Sequence, residues 1–359
     1  MTKSIVIFAG GTGGHVYPGL AIAVALRNKG VSCHWVGTEQ GLEARIIPEN
    51  RFPFETINVI GFRRYGFRRW AMAPFILLKS IFSAVRILRS KRPDIVLGMG
   101  GAVSAPGGVA AWLCRYPLII HEQNTVPGLT NRILAHLSSR ILEAFPNSFP
   151  KKFRAVATGN PVRPEIIKAR NFKFKREMSG GCNILVFGGS GGARILNDIV
   201  PKALSRVAET DISILHQCGA HSRETLLAEY KILEFGGDIR ICSFIEDMAE
   251  AYVWADLVIS RSGAMTLSEL ATVGLVSVLV PYKYAVDDHQ AKNAEYFLNQ
   301  NATFMITEEE FTASRLQSLL EKIFNDKVLY NSVGNSIKAL GHMHATDLVV
   351  RHCLELANA

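Results

Sequence analysis

Two stretches of this chain run from apolar residues straight into glycine. Residues 5–15 read IVIFAGGTGGH, and residues 184–194 read ILVFGGSGGAR. A short apolar run that stops at glycine suits a strand buried on both faces that turns sharply into a helix. Similar runs occur at 32–36, 94–98 and 117–121, and again at 212–216, 239–242, 256–260 and 276–280, with helical periodicity between several of them. Strands alternating with helices predict parallel sheets joined by crossovers. A chain of 359 residues also exceeds one comfortable core. GNPVRP at 159–164, followed by a basic run from Lys168 to Arg176, reads as the linker. The expected fold is therefore α/β, with two doubly wound, Rossmann-like domains over 1–162 and 163–342 facing a central cleft.

Composition narrows the class. Hydrophobic residues at 48% and charged residues at 20% describe a globular chain. No apolar stretch approaches the roughly 20 residues that span a bilayer, and the run at 5–9 is too short for a signal-peptide core. The protein is expected to stay in the cytoplasm. Its six cysteines are scattered without C-x-x-C spacing, which points to small buried hydrophobes. A net charge of +9 favours an anionic partner: phosphorylated substrates or an anionic membrane. Nucleic acid is not expected, because no recognised binding motif occurs.

Where a strand passes into a helix, the first helical amides lack intrahelical partners and the dipole is positive there. Glycines let a phosphate approach those amides closely. Neither loop carries the lysine of a Walker P-loop, and neither completes G-x-G-x-x-G: Gly11-Thr-Gly13 leads to Val16, and Gly189-Ser-Gly191 to Arg194. An NAD(P)-dependent oxidoreductase stays open as a rival, with Glu39 after the second strand as its ribose-binding acid. It leaves residues 260–297 unexplained.

That block reads SRSGAMTLSELATVGLVSVLVPYKYAVDDHQAKNAEYF. It resembles the nucleotide-sugar site of glycosyltransferases with the GT-B fold. GGTGGHVYPGLA (10–21), GMGGAVSAPGG (98–108), HEQN (121–124), GNPVR (159–163), GGSGGARILN (188–197) and FIEDM (244–248) narrow the match. In that order they resemble the bacterial lipid II-forming, MurG-type N-acetylglucosaminyltransferases. The resemblance implies an inverting transfer of GlcNAc from UDP-GlcNAc to the C4 hydroxyl of undecaprenyl-pyrophosphoryl-MurNAc-pentapeptide, in peptidoglycan synthesis. A transferase with a soluble acceptor is the nearer alternative.

The same resemblance implies roles. Phe244 and the backbone of Ile245 would meet uracil, and Glu269 the ribose hydroxyls. Ser190, Arg163 and the turn of Gly263, Ala264, Met265 and Thr266, with Leu267 and Ser268 behind it, would hold the phosphates. Asn124, His289 and Gln290 would reach the sugar. His289 departs from the glutamine associated with its position. Thr12, Gly13 and Gly14 would face both donor and acceptor, and Gly13, Gly14, Gly100, Gly101 and Ser104 the acceptor pyrophosphate. His15 and Glu122 compete as the base; a helix N-terminus at His15 disfavours the imidazolium. His121 reads as structural. No D-x-D pair occurs, so neither a metal nor another cofactor is expected. By analogy with the fold, the C-terminal helix at 343–359 packs back on the first domain.

A polyprenyl-linked acceptor implies a peripheral enzyme on the cytoplasmic side of the inner membrane. Residues 61–92 suit an anionic lipid surface, with Arg63, Arg64, Arg68 and Arg69 alternating with Phe62, Tyr65, Phe67 and Trp70. Phe75, Leu78, Phe82 and Val85 follow at helical spacing. The stripe is expected mostly in the core, with the arginine–aromatic segment and Phe75 as the membrane contact.

Overall fold

The computed structural model describes residues 3–59, 67–173, 181–189, 191–207, 211–219, 223–233 and 235–358; the side chains of 67–73 and 173 are outside this description. Ser190 and Arg64, and the side chains of Phe67, Arg68, Arg69 and Trp70, therefore lie outside the described residues.

Two compact units result. One holds Met1–Arg163 with His344–Ala359, and the other Pro164–Met343. The first runs β1 (Ser4–Phe8), α1 (Gly13–Asn28), β2 (Ser32–Gly37), α2 (Glu43–Glu49), β3 (Phe54–Thr56), α3 (Phe67–Lys91), β4 (Ile95–Gly98), α4 (Gly101–Leu113), β5 (Leu118–Glu122), α5 (Leu129–Leu134), β6 (Arg140–Glu143) and β7 (Val156–Ala157). The second runs α6 (Pro164–Lys173), β8 (Cys182–Phe187), α7 (Arg194–Leu204), β9 (Ile212–Gln217), α8 (Arg223–Ile232), β10 (Ile239–Cys242), α9 (Met248–Trp254), β11 (Leu257–Ser260), α10 (Ala264–Val273), β12 (Val276–Leu279), α11 (His289–Leu298), β13 (Phe304–Met305), α12 (Ala313–Asn325) and α13 (Lys327–Ala339). The chain ends in α14 (Ala345–Leu356), which belongs to the first unit.

Every described strand pair is parallel, as the alternation of elements requires. The sheets are ordered β3-β2-β1-β4-β5-β6-β7 and β10-β9-β8-β11-β12-β13. In each, the chain first winds outward on one side, then crosses back to wind the other way. The reversal falls between β1 and β4 in one sheet and between β8 and β11 in the other. Open α/β sheets bind ligands beyond the strand ends at such a point. Both glycine loops leave from it.

Alternation along β1 divides the first core. Ile5 and Ile7 join one buried cluster with Val16, Ile22 and Leu26 of α1 and Val349, Val350 and Cys353 of α14. Val6 and Phe8 face the other, with Ala84, Ile87 and Leu88 of α3 and Ala110 and Ala111 of α4. Arg140 holds α14 at its far end, 2.8 Å from both Glu355 and His352 Nδ1.

The third helix differs from the expectation. Phe75 and Phe82 are 73% and 72% exposed and Leu78 is also outside, while Ser80, Ala84, Ile87 and Leu88 are buried. Periodicity marks two apolar stripes on this helix, and the sheet takes the one whose buried members begin at Ser80 and Ala84. The Phe75–Leu78–Phe82 stripe remains on the surface. No helix among the described residues is long and apolar enough to cross a membrane.

Candidate functional site

In the first unit, three loops gather at the ends of β1, β4 and β5. Thr12 precedes α1 in extended geometry and makes no side-chain cap. His15 is half-buried in this turn, its own N–H donating to Thr12 O at 3.0 Å. Its imidazole lies against the β4–α4 loop: a Cβ built on Gly100 would come within 3.0 Å of the ring. Gly101 has φ +77°, and a Cβ there would stand 2.6 Å from Gly10 O. Only glycine lets the two loops close on one another this way.

Beneath the first loop lies Glu43, wholly buried and missed in the sequence reading. Its Oε2 accepts Gly11 N–H at 3.0 Å, and its Oε1 accepts the N–H and hydroxyl of Thr38 at 2.9 and 2.7 Å. A Cβ on Gly10, Gly37 or Gly41 would collide with this side chain. The carboxylate thus turns one loop amide inward and sets how the rest are presented. Glu39, the ribose-binding acid of the oxidoreductase reading, is exposed instead. Glu43 sits in LEARII (42–47), where a charged pair among apolar residues reads as an ordinary amphipathic helix, so the sequence carries no clear signal for it.

Glu122 is 2% exposed. Its Oε1 accepts the backbone and side-chain N–H of Asn124 at 3.0 and 3.1 Å, and its Oε2 accepts Gly128 N–H at 3.1 Å and Asn131 Nδ2 at 2.8 Å. A carboxylate accepting four bonds braces the HEQN loop. Ser104 is buried, and its Oγ lies 2.7 Å from both Phe8 O and Gly100 O. It ties β1 to the β4–α4 loop.

His121 is structural. Burial pulls its pKa down to about 4, and its Nε2 lies 3.1 Å from Gly159 O. With a carbonyl there, the neutral ring carries its proton on Nε2. Arg163 belongs to the first unit, one residue beyond the expected boundary, and its guanidinium sits 4.9 Å from the ring centroid of Tyr17 on α1. It is a cation beside the first glycine loop.

In the second unit the ends of β8 and β11 form the counterpart. Gly188, Gly189, Gly191 and Gly192 lead to α7, which begins after Ala193. Gly263 precedes α10 in extended geometry without a side-chain cap, so the amides of Ala264, Met265 and Thr266 open this helix. Behind it, Ser262 is buried and donates to Gln290 O at 2.8 Å, while Gln290 Oε1 accepts Tyr282 N–H at 3.0 Å. The first bond joins the α10 turn to Gln290, and the second closes the 281–290 loop on itself. Arg261 strengthens the joint through Val280 O and Pro281 O and an ion pair with Glu308. His289 Nδ1 donates to Val286 O at 2.7 Å.

Glu269 lies on α10 beyond Leu267 and Ser268 and is mostly buried, its Oε2 accepting the hydroxyl of Tyr252 at 3.0 Å. Tyr252, fully buried on α9, was also missed; nothing in its local spacing pairs it with an acid 17 residues on. Phe244 is exposed and Ile245 half-buried, in the loop between β10 and α9. Asp247 caps α9 through Glu250 N–H.

The glycosyltransferase family 28 N-terminal domain matches residues 5–143, and the family's C-terminal domain matches residues 183–347. The UDP-N-acetylglucosamine--N-acetylmuramyl-(pentapeptide) pyrophosphoryl-undecaprenol N-acetylglucosamine transferase of Nitrosococcus oceani is 43% identical over 360 residues, covering 100% of both chains. The chain belongs to glycosyltransferase family 28. The like-named protein of Shewanella amazonensis is 41% identical over 99% of this chain and 98% of its own. The crystal structure of Acinetobacter baumannii MurG superposes with a TM-score of 0.83 at 36% identity, covering 98% of this chain and 99% of that one. The fold is GT-B, and this family 28 member is an N-acetylglucosaminyltransferase. Its two glycine-rich strand ends open the two matched domains.

Proposed function

We infer that this enzyme transfers N-acetylglucosamine from UDP-N-acetylglucosamine to the C4 hydroxyl of undecaprenyl-pyrophosphoryl-MurNAc-pentapeptide, turning lipid I into lipid II in peptidoglycan synthesis. The carrying observation is identity of 43% and 41%, across essentially the whole chain, to transferases named for those substrates.

The second unit is the donor side on this reading. The opening amides of α10 from Gly263 to Thr266, with Ser190, take the pyrophosphate, where the helix dipole favours developing negative charge. Glu269, oriented by Tyr252, takes the ribose hydroxyls, and Phe244 and Ile245 the uracil. His289 and Gln290 take the sugar, with Asn124 from the HEQN loop. The first unit is the acceptor side: Thr12, Gly13, Gly14, Gly100 and Gly101 offer amides to the lipid pyrophosphate, beside the Arg163 cation.

The acceptor oxygen attacks the anomeric carbon as the bond to the UDP oxygen breaks, in one inverting displacement. His15 takes the proton from that oxygen. Its imidazole stands at a helix N-terminus and is directed by the second loop at Gly100.

The enzyme works peripherally on the cytoplasmic face of the inner membrane. The exposed Phe75, Leu78 and Phe82 and the arginine–aromatic segment before them meet anionic lipid.

Thermal unfolding with UDP-GlcNAc, UDP-glucose, UDP and NADH tests the donor. Ligand at ~100 times its dissociation constant adds about 2.7 kcal/mol to the unit that binds it. A shift with UDP-GlcNAc and UDP is expected; a shift with NADH alone overturns the assignment.

A further inference from the structure

The first unit holds a cavity of about 170 Å³ between α3, α4 and α5. Leu77 and Ile81 of α3 line one wall, Ala102, Ala105 and Val109 of α4 a second, and Ile133 of α5 a third. Its lining is almost wholly hydrocarbon. Of the two hydroxyl residues in it, Ser80 already commits its Oγ to its own helix, at 2.7 Å from Ile76 O. A lining of this kind selects an apolar ligand and offers nothing to hold a polar one. The size is comparable to that of an engineered apolar cavity of about 150 Å³ that stays dry and binds benzene.

Position says which apolar ligand. Ala102 directly follows Gly101, the last glycine of the β4–α4 loop, and the cavity then follows α4 through Ala105 to Val109. At 1.5 Å per residue it extends about 12 Å along the helix from the loop. A ligand whose pyrophosphate rests on that loop has this cavity within reach of its next carbons, because Ala102 both adjoins the loop and lines the cavity. The mouth is apolar as well: Leu77, Leu129 and Ile133 are all exposed.

We propose that this cavity is a subsite for the first isoprene unit of the lipid acceptor, the one esterified to the pyrophosphate, which enters the protein instead of staying in the bilayer. The proposal rests on the acceptor reading above. It is separate from the membrane contact. Phe75, Leu78 and Phe82 (spaced i, i+3, i+7) point outward from α3, whereas Leu77 and Ile81 (i, i+4) line the cavity. One face of the helix meets lipid in bulk, and the flank beside it meets one segment of one lipid.

The test uses the full chain without membrane or detergent. Two water-soluble acceptors carry the MurNAc-pentapeptide pyrophosphate, one ending in a methyl ester and the other in a ten-carbon isoprenoid. Wild type should favour the isoprenoid by roughly 10- to 100-fold in kcat/KM, the usual worth of a few methylenes in an apolar pocket. Ala105→Phe fills the cavity and should abolish that preference, leaving kcat/KM on the methyl ester and UDP-GlcNAc affinity unchanged. Ile133→Trp, at an exposed rim position that cannot disturb the core, should reduce the preference as well. Equal use of both esters by wild type overturns the subsite, and so does an equal loss on both esters in the variants. If wild type uses neither ester while UDP-GlcNAc still stabilises it, the acceptor reading itself falls, and the subsite with it.

Discussion

Three acidic or basic side chains at the first unit's strand ends have separate work, and environment assigns it. His15 is half-buried against a glycine loop, whereas Glu122 accepts four hydrogen bonds and Glu43 three. His15→Ala should lower turnover by at least ~10²-fold with the thermal midpoint nearly unchanged; near-wild-type turnover in steady-state assays would remove it as the base. Glu122→Gln should behave the other way. It turns a side-chain N–H toward donors, so it should destabilise the first unit by roughly 1–3 kcal/mol. Its activity should recover at temperatures where the variant is fully folded, as comparison of melting and rate profiles would reveal. The residue types of this site were legible in the sequence, but their division of labour was not. HEQN displays a histidine, a glutamate, a glutamine and an asparagine side by side, and only the count of bonds to each shows which are braces.

Among the elements, the strand–loop–helix joints were the most legible, because glycine after a buried apolar run has few other uses. The β1–α1 and β4–α4 loops interlock at Gly101, whose φ of +77° and 2.6 Å approach to Gly10 O leave no room for a methyl group. Gly101→Ala should cost the first unit about 1–2 kcal/mol from backbone conformation alone, and more from the clash. UDP-GlcNAc should still raise the melting temperature of the second unit; loss of that shift would show that the variant does more than part the two loops. The third helix was half legible. Its apolar periodicity was plain, yet the same pattern describes a face turned to a sheet and a face turned to lipid. Only packing separates Ala84 and Leu88 from Phe75 and Phe82. Arg68→Glu with Arg69→Glu should weaken binding to anionic vesicles by about tenfold or more, given roughly 1 kcal/mol per basic residue near the surface. Co-sedimentation checks this, and undiminished binding would move the contact elsewhere.

At the scale of the whole molecule, each unit buries a neutral histidine. His121 is held down to about 4 by burial, and His216, bonded to Tyr230 and Asn197, to about 3. Unfolded, both would titrate at 6.5. Below that pH the unfolded chain takes up protons that the folded chain refuses, so stability falls with pH from 6.5 down to the folded value. For His121 the loss approaches about 3 kcal/mol by pH 4. Thermal unfolding should show His121→Asn, which cannot charge, losing less stability than wild type over that range; parallel pH profiles would contradict this. The last helix is also a whole-molecule feature. The buried Val349, Val350 and Cys353 of α14 share a core with β1 and α1, although 180 residues of the second unit intervene.

Two parallel α/β units, their glycine-rich strand ends, the family and its reaction all follow from the sequence. Apolar runs, glycine positions and ordered motifs are local in the chain and survive being read one residue at a time. Tertiary structure alone decided which helical stripe meets the sheet, which carboxylates are braced and which cavity opens beside the loop at Gly101. It also supplied Glu43 beneath Gly11 and Tyr252 behind Glu269. These depend on contacts that spacing does not display, 17 or more residues apart for Gly11 with Glu43 and Tyr252 with Glu269 and nearer in the chain around Glu122, or on whether a side chain that could reach solvent is instead enclosed. Periodicity shows that a face is apolar, but what covers that face is settled only when the chain is packed.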